Sequence, residues 1–277
     1  MRLRSLLFVP GDRPERFEKA ANSDADAVIL DLEDAVAPER KAFAREAVAE
    51  YLGGAATDGC VRLVRINPVD TPHLSADLAA AALAQGLMLP KAEGAATFAR
   101  LDAAADGLTL PPILPIATET PLAIFRLADY AALRHRLMGL TWGAEDLPAA
   151  IGATASRAAD GAYTAPYETA RSLMLFAAHA AATQAIETVY PDIRNLEGLA
   201  AYAARGAFDG FTGMMAVHPA QVEAINAAFS PSAAALEEAR RILAAFAAAP
   251  GQGAIAFEGR MLDAPHLMAA RRLLGAA

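Results

Sequence analysis

Short apolar runs rich in β-branched and aliphatic residues alternate along this chain with alanine-rich segments of helical period. The runs occupy residues 6–9, 27–32, 61–66, 86–89, 113–117, 137–142, 185–189 and 210–217. Strand, helix and strand repeated in this way require a parallel sheet. Eight such units predict closure into a (β/α)₈ TIM barrel with the helices outside. A doubly wound open sheet is the alternative. The 277 residues accommodate one barrel of about 250 residues without remainder.

Two stretches fall outside the repeat. Residues 149–166, between the sixth and seventh runs, are rich in Ala, Gly and Thr and contain Arg157, Asp160 and Tyr163. They are too polar for core and too long for an ordinary βα connection, so they read as an active-site loop. After His218-Pro219 the pattern predicts a helix over 220–229, a break at Ser230-Pro231-Ser232 and a long Ala/Glu/Arg helix ending near Pro250-Gly251. A hairpin-like segment over 255–263 and a last helix follow. The chain therefore divides into a barrel domain, 1–230, and a C-terminal helical extension, 231–277, packing on the barrel or on a neighbouring subunit.

Composition changes this picture little. The hydrophobic fraction of 55% is inflated by alanine, and no apolar run approaches the roughly 18 residues of a membrane span. The basic start, Met1 to Pro10, has too short an apolar stretch and no small-residue cleavage site for a signal peptide, so it reads as the first strand. The single cysteine, Cys60, can form no internal disulfide and is expected to be buried, which suits a cytoplasmic protein. A net charge of −8 argues against a nucleic-acid surface but leaves room for a local basic patch.

The chemistry collects at the C-terminal ends of the runs, the end that forms the active-site face of a barrel. Run two ends in Asp31-Leu-Glu33-Asp34, run three in Arg65-Ile-Asn67, run four in Pro90-Lys91, run five in Thr118-Glu119-Thr120 and run six in Gly143-Ala-Glu145-Asp146. Glu119 and Asp146 come from adjacent strands, and two converging carboxylates repel unless a cation sits between them. With no cysteine or histidine cluster nearby, hard oxygen donors favour Mg²⁺ or Mn²⁺ over Zn²⁺. The competing reading makes Asp146 a cap for the helix begun by Leu147-Pro148. Glu145, by strand alternation, should point away and has no metal role.

Arg65 suits a substrate carboxylate, because its planar fork binds one bidentately; it could equally pair with Asp31 or Glu33 in the barrel mouth. Asp31 and Glu33 could instead hydrogen-bond metal waters. None of the five histidines shows a paired ligand spacing, and His218 stands between a site-lining and a structural role. Arg13, Arg16 and Lys19 lie close together after Pro10-Gly11, matching no phosphate-binding loop but able to meet an anion.

The segments Arg4-Ser-Leu-Leu-Phe-Val-Pro-Gly11, Ala25-Asp-Ala-Val-Ile-Leu-Asp-Leu-Glu-Asp-Ala-Val36, Val64-Arg-Ile-Asn67, Leu89-Pro-Lys91, Ala117-Thr-Glu-Thr120, Gly143-Ala-Glu-Asp-Leu147 and Val217-His-Pro-Ala-Gln221, taken together, resemble the citrate lyase β-subunit (CitE-like) family of the HpcH/HpaI aldolase superfamily. The resemblance implies a Mg²⁺-dependent barrel lyase that cleaves or forms 3-hydroxyacyl-CoA thioesters such as citryl-CoA, malyl-CoA or citramalyl-CoA. It gives the metal to Glu119 and Asp146 and the substrate to Arg65. Gly259-Arg-Met-Leu-Asp263 resembles the segment by which related lyases deliver a catalytic aspartate across a subunit interface. That makes Asp263 the candidate acid/base, against a plain helix cap before Ala264-Pro265. Arg13, Arg16 and Lys19 become CoA candidates by position. One departure stands out: relatives often carry a lysine two or three residues before the Ile-His-Pro segment, where this chain has Met214 and Met215.

These parts suggest a retro-Claisen cleavage to an acyl-CoA and a 2-oxo acid, by a homo-oligomer with a trimer as one option. Mg²⁺ would acidify the hydroxyl, Arg65 would balance the carboxylate or enolate, and Asp263 would exchange a proton. A malate-synthase-like condensation with thioester hydrolysis is one alternative. A noncatalytic CoA-thioester-binding subunit is another.

Overall fold

In the computed structural model the described residues are 2–54, 59–159 and 161–275, so Asp160 of the long loop lies outside them. Eight strands are present: β1 (Ser5–Pro10), β2 (Ala27–Asp31), β3 (Val61–Arg65), β4 (Gly86–Leu89), β5 (Ile113–Pro115), β6 (Leu140–Thr141), β7 (Ala185–Glu187) and β8 (Gly213–Ala216). All pair in parallel, in the order β5-β4-β3-β2-β1-β8-β7-β6. Bridges from Ile113 to Leu137 and from Ile116 to Thr141 join β5 to β6 and close the barrel predicted from the eight runs.

β6 is shorter than the 137–142 run suggests, and β8 starts three residues later than expected. The second difference has a local cause. Gly210, at φ 111°, takes the left-handed conformation that ends the helix Leu196–Asp209, so it cannot begin a strand.

Strand alternation separates two apolar layers. Leu6, Ile29, Leu63, Leu114, Ile186 and Met215 fill the barrel interior. Their neighbours, such as Leu7, Val28 and Val64, face outward against helices that bring Val48, Phe98 and Met174. Burying each such side chain contributes about 1.5–3 kcal/mol. Cys60 is buried, as expected. The same alternation carries chemistry into the mouth, because two residues beyond Ile29 and Leu63 the inward positions are Asp31 and Arg65, paired in register across β2 and β3.

After the barrel come the helix Val222–Ala228 and the helix Ala233–Ala247, whose N-cap Ser232 accepts a hydrogen bond from Ala235 N–H at 3.1 Å. Strands β9 (Ala254–Phe257) and β10 (Arg260–Asp263) form an antiparallel hairpin turned at Glu258 and Gly259, both at positive φ. The hairpin and the last helix, Ala264–Gly275, pack against Ala233–Ala247. No helix among the described residues is long and apolar enough to cross a membrane.

Candidate active site

A cavity of about 340 Å³ opens at the C-terminal mouth of the barrel. Asp31, Asp34, Glu119, Glu145 and Asp146 are among its lining residues, together with Arg65. Phe8, Ile116, Val189, Met215 and Val217 are its larger apolar lining residues, and Thr188 is there too.

Arg65 is held first. Its Nε and Nη2 donate to Asp31 Oδ1 and Oδ2 at 2.7 and 2.6 Å, and Nη1 lies 2.8 Å from Glu33 Oε2. The guanidinium also stacks 4.9 Å from the centroid of Phe8. Burial works against its charge, but the Asp31 hydrogen bonds and the Asp31, Glu33 and Asp34 charges outweigh it, so Arg65 stays protonated at any working pH. The ion pair does not exhaust the guanidinium, because at least two of its five N–H groups remain for a ligand. Lys41, itself buried, fixes the β2 end by donating from Nζ to the carbonyls of Leu32 and Glu33 at 2.9 and 3.0 Å.

Glu119 follows β5 and is buried. Its Oε2 accepts the backbone N–H of Lys91 at 2.6 Å, a bond aimed by the left-handed backbone of Lys91 at φ 48°. The close approach of Glu119 to β6 depends on Gly143, where an added Cβ would lie 2.5 Å from Glu119 Cγ and 3.0 Å from Oε1. Thr118 Oγ1 accepts from Gly143 N–H at 3.2 Å and ties the two strand ends together.

Asp146 is the first residue of the short helix Asp146–Ile151, and no side-chain cap bond is made at that terminus. Its Oδ1 lies 3.4 Å from Lys91 Nζ, which also donates to Glu33 Oε1 at 3.1 Å. Glu145 is a correction to the sequence reading. β6 ends at Thr141, strand alternation no longer applies by residue 145, and Glu145 is among the residues that line the same cavity as Asp146 and the hollow beside it.

Desolvation, together with the charges of Glu33 and Asp146, pushes the Glu119 carboxyl up to about 8, despite the opposing Lys91 bond. Burial likewise raises Glu33, against the pull of Arg65. The acids thus exceed what Arg65 and Lys91 neutralise, a condition that a cation would relieve. Among the described residues no three His, Cys, Asp or Glu side chains converge to form a ready metal cage. Mg²⁺ commonly binds through one or two carboxylates and completes its shell with water and substrate oxygens. Glu119 and Asp146 are the carboxylates that would hold such an ion, and the missing Cβ of Gly143 is what lets Glu119 lie against β6.

The other predicted residues lie elsewhere. Arg13, Arg16 and Lys19 are exposed and do not line the cavity; Arg13 Nε lies 3.8 Å from Asp12 Oδ1. His218 is a helix cap, its Nδ1 accepting from Ala220 N–H at 3.2 Å. Asp263 ends β10, outside its own chain's cavity, with Oδ1 2.6 Å from His266 Nδ1. In the long loop, Arg157 stacks 3.7 Å from the Tyr163 ring centroid and lines a neighbouring hollow that shares Glu145 with the main cavity.

Sequence reasoning left Lys91 without a role and missed Gly143 and Glu187. Glu187 is fully buried behind the site, accepting from Trp142 Nε1, Arg171 Nε and Tyr202 Oη. It also accepts the N–H of Thr188, a cavity residue. The signal for Glu187 was a lone acid inside an apolar run, which a buried strand tolerates only with partners.

A closed parallel barrel whose mouth combines two hard-oxygen donors, a pre-charged arginine and an apolar wall defines a barrel enzyme acting on a small anionic substrate. The chain belongs to the HpcH/HpaI aldolase/citrate lyase family, which it matches over residues 4–219. It is 42% identical over 270 residues to a citrate lyase subunit beta-like protein of Mycobacterium tuberculosis, covering 97% of this chain and 93% of the relative. It is 38% identical over 280 residues to a (3S)-malyl-CoA thioesterase of Cereibacter sphaeroides, covering 99% and 94%. The crystal structure of CitE from M. tuberculosis in complex with magnesium, acetoacetate and coenzyme A superposes with a TM-score of 0.85 at 39% identity, covering 100% of this chain and 98% of that one.

Proposed function

We propose that this chain is a Mg²⁺-dependent carbon-carbon lyase that splits a 3-hydroxyacyl-CoA thioester into an acyl-CoA and a 2-oxo acid. The observation that carries the reading is the convergence of Glu119 and Asp146 on one cavity beside Arg65, with Gly143 making room. Glu119 and Asp146 would hold the ion. Bound there, Mg²⁺ supplies Lewis acidity toward the hydroxyl and carboxylate oxygens of the substrate.

Arg65 turns its remaining N–H groups to the thioester carbonyl or the carboxylate. As the hydroxyl gives its proton to the Asp263 carboxylate, the bond between the hydroxyl-bearing carbon and its thioester-side neighbour breaks. The electron pair passes into the thioester enolate, whose oxygen Arg65 stabilises. Protonation at the enolate carbon completes the acyl-CoA. Asp263 is the proton donor in this scheme. Because it stands outside its own cavity, it would serve the site of a second copy, with residues 231–277 as the extension that carries it across. A homo-oligomer follows. Arg13, Arg16 and Lys19, exposed after β1, are offered to the CoA phosphates.

Hydrolysis of the thioester is the second reading, favoured by the 38% identity to a malyl-CoA thioesterase. The purified protein with Mg²⁺ and malyl-, citramalyl- and citryl-CoA separates the two. Acyl-CoA plus 2-oxo acid without free CoA supports the lyase, whereas free CoA with the intact hydroxy acid supports the hydrolase. No turnover of any thioester would overturn both.

A further inference from the structure

The cavity has a strongly unequal distribution of charge. The residues lining it include five acids and one arginine, Arg65, which is already matched by Asp31 and Glu33. Lys91 is shared between Glu33 and Asp146. Arg157 opens on the neighbouring hollow, where it donates to the Gly161 carbonyl and the Tyr163 hydroxyl at 2.9 and 2.6 Å. The remaining lining is largely apolar: Met215 and Val217 lie two residues apart at the end of β8, with Val189 after β7, Phe8 from β1 against the Arg65 guanidinium, and Ile116 after β5. Thr188 is the neutral polar side chain among these lining residues.

A substrate with one carboxylate has a place for it, at the ion and the free N–H groups of Arg65. A second carboxylate would meet aliphatic carbon and surplus negative charge, losing its hydration without gaining a counter-charge. Resting on the lyase reading above, we infer that the hydroxyl-bearing carbon of the substrate carries hydrogen or a small alkyl group. The 2-oxo acid released is then a monocarboxylate. A carboxymethyl group at that carbon, as in citryl-CoA, is rejected by the apolar wall rather than recognised.

The test has two arms. With Mg²⁺ present, kcat/KM for malyl- or citramalyl-CoA should exceed that for citryl-CoA by about 100-fold or more, the scale expected for an unpaired charge in an apolar pocket. Independently of turnover, pyruvate should bind the Mg²⁺-loaded protein more tightly than oxaloacetate in a calorimetric titration. Val217, partly exposed at the cavity rim, can take a charged side chain without core disruption. Val217→Arg should narrow both preferences by about tenfold or more by supplying the missing cation. Equal or better use of citryl-CoA by the wild type, or tighter binding of oxaloacetate, overturns the inference while leaving the lyase standing. Absence of all thioester cleavage with the pyruvate preference intact removes the lyase and keeps the charge argument. Failure of both oxo acids to bind overturns the inference outright.

Discussion

Replacing Gly143 with alanine probes the site through a single contact. The new Cβ would stand 2.5 Å from Glu119 Cγ, and ordinary contact begins at 3.4 Å, so Glu119 has to recede by about 0.9 Å. Gly143 has no positive φ, so the backbone tolerates alanine and the whole cost falls on this contact. Glu119 cannot retreat freely, because its carboxylate is held by Lys91 N–H at 2.6 Å. Overpacking costs about 1–3 kcal/mol of stability, which lowers the melting temperature by roughly 2–8 °C for a chain of this size. Loss or distortion of the charged hydrogen bond, at about 1.5–3 kcal/mol, carries over to the ion as a roughly 10- to 100-fold weaker Mg²⁺ affinity. Calorimetric titration with Mg²⁺ reads the second effect, and melting in EDTA reads the first. Gly107→Ala is the control, since Gly107 has φ 84° with nothing within 4 Å of an added Cβ; it should lower the melting temperature and leave Mg²⁺ binding unchanged. A Gly143→Ala protein with wild-type Mg²⁺ affinity would refute the placement of Glu119 as a ligand.

Two further outcomes are expected. Asp263→Ala should reduce turnover by about 100-fold or more, the usual scale for losing a general acid, while Mg²⁺ binding stays intact; unchanged turnover removes Asp263 from the mechanism. Asp26→Asn should destabilise the fold by about 1–3 kcal/mol at neutral pH, because Asp26 accepts from Arg4 Nε, Nη2 and backbone N–H at 2.7–2.9 Å, tying the starts of β1 and β2 together. Burial opposes the Asp26 charge, but the Arg4 bonds prevail and hold its carboxyl below the usual 3.8. A depressed carboxyl contributes stability above the unfolded value, and that contribution fades as pH falls through the folded one. The gap between wild type and variant in urea melts should therefore shrink below about pH 4, and a gap constant down to pH 2.5 would contradict the assignment.

The fold was legible because short apolar runs alternating with alanine-rich helices leave few other arrangements, and the eight runs correspond to β1 through β8. Asp31, Arg65, Glu119 and Asp146 were legible for a related reason: polar groups at the ends of buried strands have nowhere to go but the mouth. What stayed hidden depends on where strands stop and on contacts between distant residues. Glu145 was misread because β6 ends at Thr141 and the alternation used to aim it had already lapsed. Lys91 lay at a run end, but its left-handed backbone, which turns N–H toward Glu119 while the ammonium meets Glu33 and Asp146, has no local sequence signature. Gly143 resembles any loop glycine until the position of Glu119 is known, 24 residues earlier in the chain.

The central claim is that Glu119 and Asp146 hold the ion on which cleavage depends, and titration with Mn²⁺ followed by water-proton relaxation tests it most directly. One ion per chain is predicted for the wild type, displaced by Mg²⁺. Glu119→Gln and Asp146→Asn should each weaken binding by at least about tenfold, with binding and thioester cleavage both lost in the double variant. Wild-type ion affinity in the double variant, or full cleavage activity in EDTA, would contradict it.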